Sequence, residues 1–372
     1  MKDKNLLVKL PIDNLENLWP RELKKAKVGL LLHPASISSN REHSLVRFRE
    51  KNNELFNIQA LFGPQHGFLG QTQDNMIEWE GYLHPELNVP VYSLYGEHRK
   101  PTEKMLAGLD ALVVDLQDVG ARYYTFIWSL YLCMEACESL GIPVVVLDRP
   151  NPINGVDTEG DLLDINYRSF VGLHSIPVRH GKTIGALAKQ FKTERFTELP
   201  LFVLEMEGWE PTMWYDETGL PWVFPSPNMP SLDTATVYPG MCLFEATNVS
   251  EGRGTTLPFE LFGAPFIRGS EFYHQLNRLG LEGVYFRETY FQPGFHKFAG
   301  ELCQGVQIHV TDRKHYKPFQ MAVEIIRLLQ KEYPNDFKWK EPPYEYEYKK
   351  LPIEILIGAP VESLFKRKTS EL

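Results

Sequence analysis

Residues 61–81, LFGPQHGFLGQTQDNMIEWEG, place Gln65, His66, Gln71, Gln73, Asp74, Asn75, Glu78 and Glu80 directly after a short apolar run. Carboxylates and a histidine can move protons, and amides hold hydroxyl groups through directional hydrogen bonds. Three further stretches repeat the pattern. QDVGARYYT follows Leu116 and supplies Gln117, Asp118, Arg122 and Tyr123, while DRPNPING follows Leu147 and supplies Asp148, Arg149, Asn151 and Asn154. FEATNVSEGRGTTLPFE, residues 244–260, supplies Glu245, Asn248, Ser250, Glu251, Arg253, Thr255 and Thr256, with Gly252 and Gly254 allowing close backbone approach to a ligand. Each has a plainer reading. Asn154 and Gly155 suit a turn, and residues 244–260 suit a surface loop closed by an Arg–Glu pair. Arg149 is harder to explain that way, because a long charged side chain directly after an apolar strand needs a partner.

Asn228 in PSPNMPS and His180 in VRHGKT complete the candidates, although a lone histidine is more often structural. Trp79, Trp209, Trp214 and Trp222 have faces on which a sugar could stack, packing being the commoner role. The eleven histidines form no HExxH or HxH, and there is no EF-hand pattern, nucleophile elbow or P-loop. The inventory therefore predicts a site without metal or cofactor. It suits polyhydroxylated ligands and hydrolysis by carboxylate acid/base chemistry.

These groups need elements to position them. Val28–Leu32, Ile58–Phe62, Val89–Leu94, Ala111–Leu116 and Pro143–Leu147 read as buried strands, and residues 124–140 and 182–192 as helices, with Gly141 and Thr183 as caps. Strands separated by helices predict an α/β, Rossmann-like doubly wound sheet, in which loops at the carboxyl ends of strands hold ligands. HPASISSN after the first strand lacks the glycines of a dinucleotide fingerprint. Six prolines between residues 211 and 240 predict a structured connection without interior helix. Beyond it, helices over 271–279 and 319–331 and strands near 283–286 and 305–311 predict a smaller α+β domain. The expected domains are 1–235 and 236–372.

At 372 residues, with 43% hydrophobic and 23% charged residues, the chain has the composition of a two-domain globular protein. A net charge of −9 without a basic block argues against nucleic acid, and no window reaches the roughly 18 apolar residues of a membrane span. The N-terminus lacks the apolar stretch of a secretory signal. Cys133, Cys137, Cys242 and Cys303 form no CxxC pair, and together these features predict a cytoplasmic protein.

GPQHGFLG, VYSLYG, DLQDVGARYYTF, VLDRPNPING, SFVGLHSIPVRHGKTIGALA, PSPNMPSLDTATVYPG and EATNVSEGRGTTLPFE resemble the exo-β-N-acetylmuramidase family, glycoside hydrolase family 171, over about Val28 to Ile357. The resemblance implies a Rossmann-like domain, a smaller second domain, and a cleft between them that releases terminal N-acetylmuramic acid from small glycans or muropeptides. The family's PEHG motif supplies a glutamate favoured as the catalytic carboxylate, and Gln65 stands in its place here. An amide is no acid or base at neutral pH. Glu245, which matches a family glutamate, is then the leading substitute, with Glu78, Asp74 and Glu251 behind it and His66 sharing proton transfer. Asn75, Asp118, Arg122, Tyr123, Arg149, Asn151, His180, Asn228, Asn248 and Arg253 are the expected substrate-binding residues. A sugar-binding protein that has lost the acid is the competing expectation. The tail after LPIEILIG is shorter than is usual in the family, which predicts a second domain that ends early.

Overall fold

Runs of Val, Leu and Ile buried on both faces suit a parallel sheet covered by helices. In the computed structural model, which describes residues 8–70, 72–73 and 76–366, they assemble into one seven-stranded sheet. Its strands are β1 (Ala26–Leu32), β2 (Phe56–Gly63), β3 (Tyr82–Leu83), β4 (Pro90–Ser93), β5 (Ala111–Asp115), β6 (Val144–Leu147) and β7 (Leu201–Leu204), in the order β3-β4-β2-β1-β5-β6-β7. All neighbours are parallel except β3, which runs antiparallel to β4. From β1 the chain steps outward to β2 and β4, then returns to the other side of β1 for β5, β6 and β7. The reversal between β1 and β5 is the topological switch point, where such sheets open a crevice.

The longest helices of this unit among the described residues are α1 (Ser44–Lys51), α2 (Phe126–Leu140) and α3 (Ile184–Glu194). Thr183 caps α3 by accepting from the Ala186 amide at 3.1 Å, and Gly141 ends α2 at φ 66°, the left-handed cap that glycine adopts cheaply. Tyr131 of α2 packs edge-on against Phe191 of α3, ring centroids 5.1 Å apart. The α1 helix and the short β7 strand were not anticipated.

Contacts divide the chain into two units that interleave along the sequence. The first is Met1–Gly120, Tyr124–Val156 and Gly181–Pro227; the second takes Ala121–Tyr123, Asp157–His180 and everything from Asn228. Arg122 shows why the second unit reaches back. Its guanidinium donates to the carbonyls of Asp161, Ile176 and Leu356 at 2.7–2.8 Å, stitching three distant segments together.

The second unit holds an antiparallel sheet of β8 (Leu261–Ala264), β9 (Val284–Phe291) and β10 (Cys303–Val310), ordered β8-β10-β9. Its longer helices among the described residues are α4 (Leu232–Met241), α5 (Gly269–Arg278), α6 (Pro318–Glu332) and α7 (Pro352–Ile357). The α4 helix corrects the reading of the proline-rich stretch as a connection without helix. Ser231 caps it by accepting from the Thr234 amide at 3.1 Å, and Pro239 lies in the last turn, where it gives up the single bond its N–H would have donated to the Ala235 carbonyl. Gly240 then lets α4 close on α6: a Cβ there would lie 2.0 Å from the Pro318 carbonyl oxygen.

Cys133, Cys137, Cys242 and Cys303 are buried free thiols. Among the described residues no helix is long and apolar enough to cross a membrane.

Candidate active site

The ends of β1, β2 and β5 bring together His33, Gln65, His66, Gln117 and Asp118. Fully buried His33 follows β1, and its Nε2 accepts from the Gln117 amide at 2.8 Å, tying the ends of β1 and β5 at the switch point. That bond leaves Nδ1 to carry the ring proton. Burial, helped by the charges of Arg149 and His43, pushes the His33 pKa well below its ordinary value, so this imidazole is neutral. Gln117 donates its side-chain amide to the carbonyls of Asp118 and Pro150 at 2.8 and 2.9 Å.

Gln65 lies in the loop after β2 and is 5% exposed. The Thr125 hydroxyl donates to its Oε1 at 2.6 Å, and its Nε2 donates to the Tyr95 hydroxyl at 3.1 Å. Tyr95 in turn accepts from the Met76 amide at 2.8 Å. The amide is thus held from both ends, beside the first turn of α2. Its neighbour His66 sits at φ 70°, a left-handed conformation uncommon for a residue with a Cβ and frequent at functional sites. His66 Nδ1 is 2.8 Å from the Thr72 carbonyl oxygen. A carbonyl only accepts, so Nδ1 is the donor and Nε2 holds the lone pair of the neutral ring. The bond fixes the orientation and tautomer of the ring.

Glu78 lies on the exposed side of the same loop, its carboxyl group against Gly96, where a Cβ would meet Glu78 Cδ at 2.7 Å. Gln71, Asp74 and Asn75 lie outside the described residues.

Other strand-end polar residues build the frame. Arg149, after β6, forms a buried two-point ion pair with Asp115 at the end of β5, at 2.5 and 2.9 Å, and donates to the Ile37 carbonyl at 2.9 Å. The pair supplies the partner that its sequence position demanded and makes Arg149 a clamp between strand ends. Asp118 accepts from the Gly120 amide at 2.7 Å; Asn151 donates to the Lys182 carbonyl at 3.0 Å. Asn154, at φ 67°, accepts from the Val156 amide at 3.1 Å, so the turn reading describes it. Asp148 accepts from Gly185 N–H and Thr183 hydroxyl at 2.8 and 2.9 Å, yet burial still raises its pKa to about 6.

In the second unit, residues 244–260 form the centre of a buried charge network. Glu245 accepts from Arg253 at 2.8 Å and from the Tyr344 hydroxyl at 2.6 Å. Burial pushes this carboxyl up, but Arg253 and the Tyr344 hydrogen bond outweigh it and hold Glu245 below the usual carboxylate range. A group so held is a fixed anion at neutral pH and a poor proton donor, against its expected role as substitute acid. Glu251, fully buried, pairs with Lys297 at 2.7 Å, His296 at 3.3 Å and Arg253 at 3.5 Å.

The remaining candidates of this unit are buried or bonded to backbone groups. Arg122 serves backbone carbonyls, and Tyr123 donates to the Pro239 carbonyl. Asn248 donates to Asp336 O at 2.8 Å and accepts from Lys338 N at 2.9 Å. His180 and Asn228 are buried.

Tyr95, Thr125, Lys297 and Tyr344 escaped the sequence reading. Thr125 and Tyr95 lie within the quoted runs DLQDVGARYYTF and VYSLYG without a charge to single them out. Tyr344 sits in EPPYEYEYKK, which reads as a merely charged and aromatic tail. His33 had a usable signal, a histidine immediately after the first strand.

Comparison with known proteins decides the family. The family model "Exo-beta-N-acetylmuramidase NamZ, N-terminal" matches residues 28–233, and its C-terminal counterpart matches residues 236–364. The chain belongs to the NamZ family. The peptidoglycan beta-N-acetylmuramidase NamZ of Bacillus subtilis (strain 168) is 45% identical over 332 residues, covering 89% of this chain and 80% of that protein. Two DUF1343 family proteins of Bacteroides fragilis NCTC 9343, known from crystal structures, share the fold. One has a TM-score of 0.85 and 31% identity, covering 98% of this chain and 93% of its own; the other has 0.73 and 28%, covering 98% and 92%. The two NamZ models meet between residues 233 and 236, whereas the contact units interleave.

Proposed function

We propose that the protein is an exo-acting glycosidase that releases terminal N-acetylmuramic acid from peptidoglycan fragments. The 45% identity to a protein named for that activity supports the substrate class. The observation that carries the chemistry is His66, locked by the Thr72 carbonyl with Nε2 as its lone-pair nitrogen, at the carboxyl end of β2. In this reading the Nε2 lone pair of His66 takes a proton from water as the water oxygen bonds to the anomeric carbon and the glycosidic C–O bond breaks, the departing oxygen taking its proton from solvent. Gln65 and Thr125 hold hydroxyl or amide groups of the sugar. Four free cysteines suit action in a reducing compartment, on wall fragments brought there.

Incubation of the purified protein with chromogenic β-glycosides of N-acetylmuramic acid and of N-acetylglucosamine tests this. Turnover of the muramic acid glycoside is expected, and turnover of neither defeats it. The Gln65 amide favours one other reading, a sugar-binding protein without hydrolysis, which predicts saturable binding of the same sugars and an intact glycosidic bond.

A further inference from the structure

A cavity of about 480 Å³ in the second unit is lined by Thr247, Asn248, His296, Lys297, Phe298 and Lys340. None of these is acidic. Both walls are fixed within the unit. Asn248 N–H donates to the Lys338 carbonyl at 3.0 Å and Lys340 N–H to the Ala246 carbonyl at 2.8 Å, so the two lining segments pair like short strands. The opposite wall is a loop in which His296 and Phe298 are both left-handed, at φ 70° and 56°, on either side of Lys297. Gly294 N–H anchors that loop by donating to the Gly254 carbonyl at 2.8 Å, and a Cβ on Gly254 would lie 2.4 Å from the Phe295 carbonyl oxygen. Two strained non-glycine residues held in one short loop are what a ligand clamp shows.

The charges do not balance in this cavity. The Lys297 ammonium donates to the Phe244 and Val249 carbonyls and to Glu251, at 2.7, 3.1 and 2.7 Å, so its charge is compensated. Lys340 has no such partner: its ammonium stands 5.7 Å over the Tyr344 ring, and among the described residues no carboxylate lies within 4.0 Å of it. One uncompensated cation calls for one negative charge, and the Phe298 ring supplies an apolar surface beside it. A monovalent carboxylate on a partly apolar body fits this better than a phosphate dianion.

We propose that this cavity is a carboxylate-binding site in which Lys340 receives the acid group and Phe298 packs against the adjoining apolar atoms. Muramic acid derivatives offer that chemistry from two sources, the ether-linked acid of the sugar and the carboxylate ending an attached peptide. The choice of probes rests on the amino-sugar reading above. Binding is measured without turnover, so failure to hydrolyse and failure to prefer a carboxylate are separate results.

Calorimetry on the full chain would compare N-acetylmuramic acid, muramyl dipeptide, whose sugar carboxyl is consumed in an amide, and N-acetylglucosamine, which has none. At least one anionic probe should bind about tenfold or more tighter than N-acetylglucosamine, as expected for a charge-assisted contact. Preference for free N-acetylmuramic acid identifies the sugar's own carboxylate as the ligand; preference for the dipeptide identifies the peptide's. Lys340→Met should abolish the preference without changing N-acetylglucosamine binding, and Lys340→Arg should retain it. Equal binding of all three, no binding of either anionic probe, or a preference that survives Lys340→Met overturns the proposal.

Discussion

Gln65 is held by Thr125 on its oxygen and Tyr95 on its nitrogen, and a glutamate of the same shape would keep the Thr125 bond while gaining a titratable oxygen. Gln65→Glu is therefore expected to fold as the parent does and to raise sugar release by about a hundredfold or more, within the range that one positioned acid contributes. The check is the initial rate on the chromogenic muramic acid glycoside; a fall in rate would mean that the amide itself has a task. His66→Asn is the complementary change. Asparagine tolerates the left-handed backbone at φ 70° but cannot titrate. It should lower kcat by roughly 10²–10⁴ with little change in KM, if the imidazole moves a proton instead of binding the ground state. A change confined to KM would assign His66 to binding.

Elements differ in how they hold their charges. The strand ends of the seven-stranded sheet use neutral groups, the hydrogen-bonded carboxylates of Asp118 and Asp148 and one clamp, Arg149–Asp115, whereas the 244–260 segment relies on a buried cluster in which Glu245 depends on Arg253 and Tyr344. Removing one partner leaves a desolvated charge. Arg253→Met should destabilise the chain by about 3–5 kcal/mol, as for other broken buried pairs, and Tyr344→Phe by about 1.5–3 kcal/mol for a hydrogen bond to a charged group. Urea denaturation reads both, and equal effects would argue against the pairing. The same contrast explains what could be read from sequence. Strands β1, β2, β5 and β6 were visible because their apolar runs are continuous, and α6 because its apolar stripe is regular. The α4 helix was hidden by Pro239, which sits inside it at the loss of one backbone hydrogen bond. The partners of Glu245 were hidden because Arg253 is eight residues away and Tyr344 ninety-nine, and side-chain pairing at such separations leaves no local pattern.

Over the whole molecule, buried carboxylates pull stability in opposite directions as pH changes. Glu245 and Glu251 are held below their ordinary range, so the stability they add is present above the unfolded pKa near 4.3 and is lost as pH falls below it. Asp148 and Glu159 behave inversely. Burial raises Asp148 to about 6 and Glu159 to about 7, the latter in spite of Arg179, 3.5 Å away, and of the Phe319 amide that donates to it at 3.1 Å. In the window between the unfolded and folded values the native state binds more protons than the unfolded one. Stability contributed by these two groups is therefore full below about pH 4 and is lost as pH rises through 6 and 7. Glu159→Gln mimics the protonated form, keeps an acceptor for the Phe319 amide and removes the titration. Relative to the parent, this variant should be least favourable near pH 5 and should gain on the order of 1 kcal/mol or more by pH 8, a tenfold change in an acid constant corresponding to about 1.4 kcal/mol. Urea midpoints of the two proteins at pH 5 and pH 8 provide the measurement. A difference between them that stays constant with pH would show that Glu159 is already ionised in the native protein at pH 5, its charge compensated by Arg179.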